Sequence, residues 1–348
     1  MKQKLLFIAV IMVLSIHSFA QQIDLSLIPY RQGDKWGYAS PDNKVVIAPK
    51  YAEAAWFSEG YAAVKSGSKY GYINRAGKMV IPAKFTVAKS FRKGFMPRAG
   101  KQGGDSILFA GASLKTDGYE ICINTKGARM PKCPAIAENS VVQNRIPVKT
   151  VIKEKTYSVP NSAGLFDKII DDYKMSNSDE TYYVAIKNNR YGVFNSKFET
   201  IVPFEFDSIK LVRASSPYLE VSQGGMYGII SGKGQMRILP ENSRVFSVLA
   251  ADGKDYIIVK RGGKTYIKDP DNNDIMTMGY SDIIYDGKGG FILTGDDNMR
   301  GYYYTDRRMV APKYSDIQVI EGTNYLLIKT FNGKVGYINA AGSEYFVE

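Results

Sequence analysis

Short stretches of alternating apolar and polar residues recur between Lys35 and Gly342, and turns rich in Gly, Asn and Pro separate them. The clearest stretches place a glycine between two aromatic residues, as in Lys69-Tyr70-Gly71-Tyr72-Ile73-Asn74. Successive copies lie 34 to 37 residues apart, except for one interval of 50. This period predicts a repeat architecture of nine units. The glycine positions, with their replacements in the weaker units, are Gly37, Gly71, Ile121, Ser158, Gly192, Gly228, Thr265, Gly301 and Gly336.

Each unit is predicted to contain three short strands. The first strand carries the glycine, and alternation places Tyr70 and Tyr72 on one of its faces. Glycine weakens a strand unless another backbone approaches closely there, so the glycine column predicts stacked layers. The second strand is apolar and ends at a proline, which cannot donate to a ladder and would cap that strand or place it at an edge. The third strand runs from a tyrosine to a lysine, as in Tyr256-Ile257-Ile258-Val259-Lys260.

The first and second strands are joined by a turn such as Asn74-Arg75-Ala76-Gly77. Asn can bond the backbone of its own turn and Gly accepts positive φ, so the motif predicts a hairpin with a four-residue loop. After the proline comes an aromatic-x-acid-apolar connector such as Tyr280-Ser281-Asp282-Ile283. Between units two and three an insertion around Gly104 to Gly118 predicts an extra hairpin or a long loop.

We therefore predict an all-β fold of tandem short antiparallel hairpins or three-stranded units, arranged as an open or superhelical array. A closed propeller-like ring is the alternative. Residues 21–100 hold units one and two behind an N-terminal capping strand, and residues 101–180 hold the degenerate units three and four with the insertion. Residues 181–348 hold units five to nine.

These columns resemble the WG-repeat family of bacterial proteins, also called KWG repeats. The resemblance rests on Lys35-Trp36-Gly37-Tyr38, on residues 69–82 and on residues 191–203, and it covers most of residues 32–342. It is weak from 101 to 180, and only Trp36 keeps the tryptophan of the family. The resemblance implies an all-β repeat protein, often exported or carried beside other domains. It brings no catalytic residues.

Residues 1–20 have the pattern of a secretory signal peptide. Lys2 and Lys4 precede an apolar stretch from Leu5 to Ile16, and Ser18-Phe19-Ala20 supplies small residues for cleavage. We expect an exported, periplasmic or extracellular protein. The residue directly after the cleavage point is Gln21 and not a cysteine, so a lipoprotein is not expected, and no later segment resembles a membrane span.

The amino-acid composition limits the kinds of catalytic and metal-binding site that the protein could have. The one histidine, His17, lies within the predicted leader, so the exported chain would lack the commonest general base and a common zinc ligand. We therefore expect no enzyme, no cofactor and no metal. The two cysteines, Cys122 and Cys133, would meet an oxidising compartment and form either a disulfide or two buried thiols. Simple strand pairing places Cys122 opposite a residue nearer Met130.

Two sets of residues are candidates for binding. Trp36 and the connector pair Trp56-Phe57 could stack on a ligand if exposed, whereas the recurring aromatic residues are otherwise expected to pack between layers. The formal charge of +12, or +10 without Lys2 and Lys4, favours an anionic partner. The alternative for the lysine column is a solvated edge that prevents sheet aggregation. The lysine column is Lys65, Lys187, Lys260 and Lys329.

The function expected from these observations is an exported, non-catalytic scaffold that binds a protein or an envelope glycan, anionic polysaccharide included. Export and the lack of a nucleic-acid motif argue against nucleic acid. One alternative is a carbohydrate-active enzyme with a carboxylate pair drawn from Asp105, Asp171 and Asp172. The other is a purely structural envelope component.

Overall fold

The protein is described from a computed structural model in which strands, and no helix, make up the regular structure of the described residues. The expected all-β fold is therefore confirmed. The signal peptide predicted at residues 1–20 and the unit around Ser158 lie outside the described part. Within that part, no helix is long and apolar enough to cross a membrane. The described residues are 23–97, 104–115, 118–136, 164–175, 179–212, 218–250 and 252–347.

The chain divides into two compact units, and the first contains residues 1–148 and 344–348. Its described strands form three sheets, with the orders β3-β2-β1-β30, β4-β5-β6-β7 and β8-β10-β11, where β9 also pairs with β10. All pairings are antiparallel except the short parallel pairing of β30 with β1. The strands are β1 Ile28–Gln32, β2 Lys35–Ala39, β3 Val45–Tyr51, β4 Glu53–Ala54, β5 Tyr61–Ser66, β6 Lys69–Asn74, β7 Met79–Phe85, β8 Val87–Ala88, β9 Arg92–Pro97, β10 Gly104–Ser113, β11 Ile121–Ile123 and β30 Phe346–Val347.

The second unit contains residues 149–343. Its described strands form five sheets with the orders β12-β13-β14-β15, β16-β17-β18-β19, β20-β21-β22, β23-β24-β25-β26 and β27-β28-β29. The strands are β12 Lys168–Lys174, β13 Thr181–Lys187, β14 Arg190–Asn195, β15 Thr200–Phe206, β16 Ser208–Leu211, β17 Tyr218–Gln223, β18 Met226–Ser231, β19 Met236–Asn242, β20 Arg244–Leu249, β21 Asp255–Arg261, β22 Lys264–Lys268, β23 Asp282–Tyr285, β24 Gly290–Thr294, β25 Arg300–Tyr304, β26 Met309–Tyr314, β27 Asp316–Val319, β28 Tyr325–Lys329 and β29 Val335–Asn339.

The full repeating sheet has four strands rather than the three expected, because the acid-apolar connector is itself a strand. In β23, Asp282 pairs with Thr294 and Ile283 pairs with Leu293. Ile283 is almost fully buried, so the connector gains both ladder hydrogen bonds and an apolar anchor. The order along each such sheet is therefore connector, third strand, first strand, second strand.

The second strands do not end at their prolines, but they do lie at sheet edges, which was the other expectation for them. β26 continues through Pro312 to Tyr314 and lies at the edge of its sheet. On its outer side no neighbouring strand needs a backbone N–H donor, so the proline is tolerated there. The pairing of β26 with β25 shifts register at Gly301, where a Cβ would lie 2.6 Å from both Pro312 N and Val310 O. The close approach expected at the glycines is real, but the approaching backbone is the edge strand of the same sheet, not a stacked layer.

The four-residue turns form as expected. The Asn74 side-chain oxygen accepts hydrogen bonds from the backbone N–H groups of Ala76 (3.1 Å) and Lys78 (3.0 Å), and Gly77 has a φ of +73°. Asn124 and Asn339 make the same pair of bonds in their own turns. The side chain of the leading residue thus holds each turn, and the fourth residue adopts the left-handed conformation.

Neighbouring sheets pack face to face, so a central strand is buried on both of its sides. In β21, Ile257 and Val259 belong to the core shared with β18–β20, whereas Ile258 belongs to the core shared with β23–β25. Because both faces are covered, the strand reads as an unbroken apolar run. The core residues of this second cluster include Ile267, Ile283, Phe291, Leu293 and Tyr303.

In the first unit, β9 and β10 form a hairpin that contains the insertion, with Phe109 opposite Arg92 and Asp105 opposite Met96. Cys122 in β11 accepts a hydrogen bond from Met130 N (2.8 Å), and a disulfide joins it to Cys133 with a Cα–Cα distance of 5.3 Å. Of the two outcomes left open for the cysteines, the structure contains the bonded one.

Candidate functional site

Each sheet has two chemically different ends. At one end, which we call the tight-turn end, the third strand is joined to the first. Most sheets use a two-residue loop there, such as Gly262-Gly263 between β21 and β22, whereas a five-residue loop joins β24 to β25 and β28 to β29. At the opposite end, the wide-turn end, four-residue turns such as Asn74–Gly77 join the first strand to the second. Ligands at the two ends would therefore meet different residues of the repeat.

The lysine column lies at the tight-turn end. Lys65 pairs with Glu53 (Nζ–Oε1 2.7 Å) and lies over the Tyr70 ring, 5.4 Å from its centroid. For Lys187, Lys260 and Lys329, no ion pair to an acidic side chain of the described segments is present, and each stands at the last or next-to-last residue of its strand. These positions fit the solvated edge that was the alternative interpretation, and they remain open to a polyanion.

The aromatic candidates are buried. Trp36 and Trp56 expose only 9% and 8% of their surface, and Phe57 exposes none. The Phe57 ring packs 4.8 Å from that of Tyr38, whose hydroxyl donates to Ala55 O (2.7 Å). The interpretation of Trp36, Trp56 and Phe57 as exposed stacking residues is therefore wrong, because the connector folds its aromatic pair against the strand that carries Gly37.

A cavity of about 430 Å³ opens at the wide-turn end of three successive sheets in the second unit. Tyr218 begins β17, Tyr256 stands near the start of β21, and Tyr303 lies near the end of β25. The volume falls within the range of small-ligand sites. The lining residues are Tyr218, Lys254, Asp255, Tyr256, Asp269, Pro270, Ile275, Tyr303, Thr305 and Arg307.

Two of the three cavity tyrosines pack against the same buried phenylalanine. Phe291 packs against the rings of Tyr256 (5.2 Å between centroids) and Tyr303 (6.4 Å). The Tyr256 hydroxyl donates to Asp252 Oδ2 at 2.9 Å. Burial raises the pKa of the Tyr218, Tyr256 and Tyr303 hydroxyls, with carboxylates close by adding to the effect for each of them. The three hydroxyls therefore stay protonated at neutral pH, and the Tyr256 hydroxyl, which donates to Asp252, offers a ligand its oxygen as an acceptor.

Two residues of the lining depart from the repeat. The position of Tyr303, two residues after the glycine column, is apolar in the other described units, for example Ile73, Ile230 and Ile338. Arg307 occupies the fourth turn position with a φ of +73°, where Gly77 has the same angle. For an L-residue other than glycine this conformation costs roughly 1–2 kcal/mol.

The Arg307 guanidinium lies at an exposed position and forms no ion pair with a described acidic residue. Its neighbour Arg308 differs, since it makes two-pronged contacts with Asp306 and lies 5.4 Å from the Tyr304 ring centroid. The other cation of the cavity, Lys254, is 4.0 Å from Asp252. Arg307 is thus the lining cation that is available to an incoming anion.

The carboxylates of the cavity are largely engaged in structure. Asp269 leads its turn in the way that Asn74 does, accepting from Asp271 N (3.0 Å), Asn273 N (2.8 Å) and Asn273 Nδ2 (2.8 Å). Asp255 is the second lining carboxylate. No group of three or more potential metal ligands occurs among the residues that the structure describes.

The acids proposed for an enzyme do not converge on this cavity. Asp171 and Asp172 are consecutive in β12, so their side chains project to opposite faces, and the Asp171 carboxylate accepts a hydrogen bond from Asp172 N (2.9 Å). Asp105 lies in the β9–β10 hairpin of the first unit. None of the three lines the cavity.

The sequence analysis missed Tyr218, Tyr256, Tyr303 and Arg307 as a group. A signal was present for two of them, since Tyr303 and Arg307 replace an apolar residue and a turn glycine in an otherwise regular unit. For Tyr218 and Tyr256 there was none, because tyrosine at the start of the third strand recurs at Tyr61 and Tyr325.

Comparison with known proteins gives a family match and distant structural similarities. A family model described as the WG containing repeat matches residues 36–70, 70–97 and 191–227. A search of curated proteins finds no match. Hsv2 from Kluyvelomyces marxianus is 10% identical, with a TM-score of 0.26, over 51% of this chain and 63% of that chain, so the match spans less than two thirds of Hsv2.

Two further structures cover more of the chain. Dihydro-heme d1 dehydrogenase NirN in complex with DHE is 11% identical with a TM-score of 0.29, over 94% of this chain and 73% of that chain. The Dos1 propeller is 10% identical with a TM-score of 0.25, over 95% of this chain and 97% of that chain. At such low TM-scores these similarities carry no argument about function.

Proposed function

The chain belongs to the WG-repeat family, and we propose that it is an exported, non-catalytic scaffold that binds an envelope glycan in the cavity lined by Tyr218, Tyr256 and Tyr303. The observation that carries this proposal is the convergence of three tyrosines from three sheets on one cavity. A sugar has an apolar face of C–H groups and a rim of hydroxyls. Tyr256 and Tyr303 are only 4% and 5% exposed, so they offer chiefly their hydroxyl oxygens, whereas the half-buried Tyr218 can also offer part of its ring.

The shape of the site favours a glycan over a folded protein. A stable protein interface is a broad surface that buries roughly 800 Å² on each partner. This site is instead a concave cavity of about 430 Å³, which is a volume typical of small-ligand sites. Export is supported by the signal-peptide pattern of residues 1–20, which would bring the protein to the polysaccharides of the envelope.

The chemistry of the lining supports binding without turnover. Glycoside hydrolysis ordinarily uses two carboxyl groups, one of which acts as a proton donor. Asp269 accepts three hydrogen bonds from its own turn, so both of its side-chain oxygens are engaged there. Asp255 is the other acid of the lining, so with Asp269 engaged in its turn the lining offers no pair of carboxyl groups for hydrolysis.

The test is binding of the purified protein to an array of envelope polysaccharides, followed by affinity measurements with oligosaccharides from each positive sample. Tyr303→Ile restores the residue type of the other units, so the variant should fold while losing at least tenfold in affinity. Tyr119→Ala, at an exposed tyrosine outside the cavity, is the matched control and should bind like the unaltered protein.

A second arm tests the lysine column. Along β21, Lys260 lies about 17 Å from Asp255 at ~3.3 Å per residue, so Lys260→Gln with Lys329→Gln should change affinity less than twofold at moderate salt. Failure of every glycan to bind would refute the proposed function. Loss of binding in the lysine variant alone would move the site to the tight-turn end.

A further inference from the structure

The geometry of the wide-turn end points to a more specific ligand, and this inference rests on the proposed glycan-binding function. We infer that the sugar held in the cavity is a uronic acid and that the Arg307 guanidinium binds its carboxylate. The sugar ring then lies beside the half-buried Tyr218, within reach of the hydroxyl ends of Tyr256 and Tyr303. Three observations support this assignment.

The first observation is where the arginine stands. Arg307 fills the turn position taken by Gly77, Gly127 and Gly342, and it does so with φ at +73°. The turn closes normally, since Arg307 N donates to Tyr304 O (2.9 Å) and Tyr304 N donates to Arg308 O (2.9 Å). A glycine would make the same turn without strain, so the turn itself does not account for the arginine.

The second observation is the lack of a protein partner. The adjacent Arg308 pairs with Asp306 in the same turn, and Arg237, in another repeat of the second compact unit, pairs with Asp271 (2.7 Å). Among the described residues, Arg307 has no such carboxylate. A ligand carboxylate matches the planar fork of a guanidinium, which can donate two parallel hydrogen bonds to it.

The third observation is the charge of the remaining lining. Asp255 and Asp269 lie in the same cavity, and their charges oppose a strongly anionic ligand. A phosphate monoester placed among them would carry about −1.5 to −2 of charge, which is more than one guanidinium offsets. A uronic acid brings a single negative charge, and its hydroxyls can donate to the aspartates and the tyrosine oxygens.

The test compares each acid with its own methyl ester. The probes are short oligomers of galacturonate, glucuronate and mannuronate, each as the free acid and as the fully esterified form, and binding is measured by calorimetry. The unaltered protein should bind at least one acid at least tenfold more tightly than its ester. Arg307→Gly should abolish that preference while its melting temperature stays the same or rises.

Arg308→Ala removes the same charge from the adjacent position, outside the cavity lining, and should keep the preference. This control separates a specific contact from the general attraction of a basic protein for acids. Equal binding of acid and ester, or a preference that survives Arg307→Gly, would overturn the inference. Binding of neutral oligosaccharides alone, lost in Tyr303→Ile, would overturn it and leave the proposed function standing. No binding of any oligosaccharide would overturn both.

Discussion

The glycine column should be intolerant of even one methyl group, and Gly301→Ala tests this directly. Gly301 lies in β25, opposite the bulge in the edge strand β26. A Cβ at this position would lie 2.6 Å from Pro312 N, 2.6 Å from Val310 O and 2.8 Å from Pro312 Cδ. Two of these three atoms belong to the backbone, so no side-chain rotation can relieve the contacts.

The size of the effect follows from the distance. To restore an ordinary contact of about 3.5 Å, β26 would have to retreat by about 0.9 Å from β25. That movement would stretch the ladder on both sides of the bulge. Overpacking of this kind costs typically 1–3 kcal/mol, and we expect about 2 kcal/mol here. For a unit of this size, about 2 kcal/mol corresponds to a fall in melting temperature of roughly 4–8 °C.

The matched control is Gly289→Ala, directly before β24 of the same sheet. A Cβ added at Gly289 would have no neighbouring atom within 4 Å, and the φ of this residue is not in the left-handed region. We expect its free energy of unfolding to change by no more than about 0.5 kcal/mol. Calorimetry would give the two melting temperatures, and hydrogen exchange would show faster opening of β25 and β26 in Gly301→Ala alone.

The reasoning would be refuted if Gly301→Ala melted within about 1 °C of the unaltered protein. It would also be refuted if Gly289→Ala lost as much stability, because general loss of glycine would then explain both. The same close approach occurs at Gly37, Gly71 and Gly228, where a Cβ would meet backbone at 2.2 to 2.5 Å. A tolerated Gly301→Ala would therefore leave the whole column without a structural reason.

Two further predictions concern the first unit. The Cys122–Cys133 disulfide closes a loop with a sequence separation of 11, so replacing both cysteines by Ser should lower the free energy of unfolding by about 3 kcal/mol. Reductant should lower the melting temperature of the unaltered protein and leave that of the double variant unchanged. A double variant as stable as the unaltered protein would contradict this. The hydrogen bond from Lys65, reinforced by one from Tyr70, lowers the pKa of Glu53 below its usual 4.5. The stability contributed by Glu53 is thus present above pH 4.5 and lost as pH falls through its lowered folded-state pKa. The melting temperatures of Glu53→Gln and the unaltered protein should therefore converge at low pH. A difference in melting temperature that stays constant from pH 6 to pH 3 would argue against this.

Local chemistry made much of the fold predictable. The Asn-led turns, the glycine strand and the apolar third strand each have a pattern that one element explains by itself, and Asn74 and Gly77 behave as expected. The continuation of β26 past Pro312 was not predictable in this way. It depends on a bulge opposite Gly301, which arises only when the two strands are paired.

Tertiary context decided the remaining features. The connector strand β23 is too short for its alternation to be recognised, and it is a strand because β24 supplies its partner. Trp56 and Phe57 lie outside the repeated columns, so no period indicated what they contact. The burial of Phe57 follows from the position of Tyr38, whose ring contacts Phe57 and whose hydroxyl donates to Ala55 O.

The cavity residues could not be recognised from the sequence for a related reason. A repeat is recognised by what its units share, whereas this cavity depends on where one unit differs from the others. Such a departure needs its own explanation, and the fourth turn position offers two contrasting cases. Phe198 is left-handed there with a φ of +64°, and its ring stacks 5.9 Å from that of the buried Phe194.

Packing therefore accounts for Phe198, since an aromatic contact is worth about 0.5–1.5 kcal/mol and offsets much of the conformational cost. Arg307 has a similar cost at the equivalent position, but no ring contact or ion pair is present for it within the described residues. The proposed anionic ligand in the adjoining cavity would offset that cost. Arg307→Gly tests this, because it relieves the strain and also removes the guanidinium: the variant should be at least as stable as the unaltered protein and should lose the preference for acids.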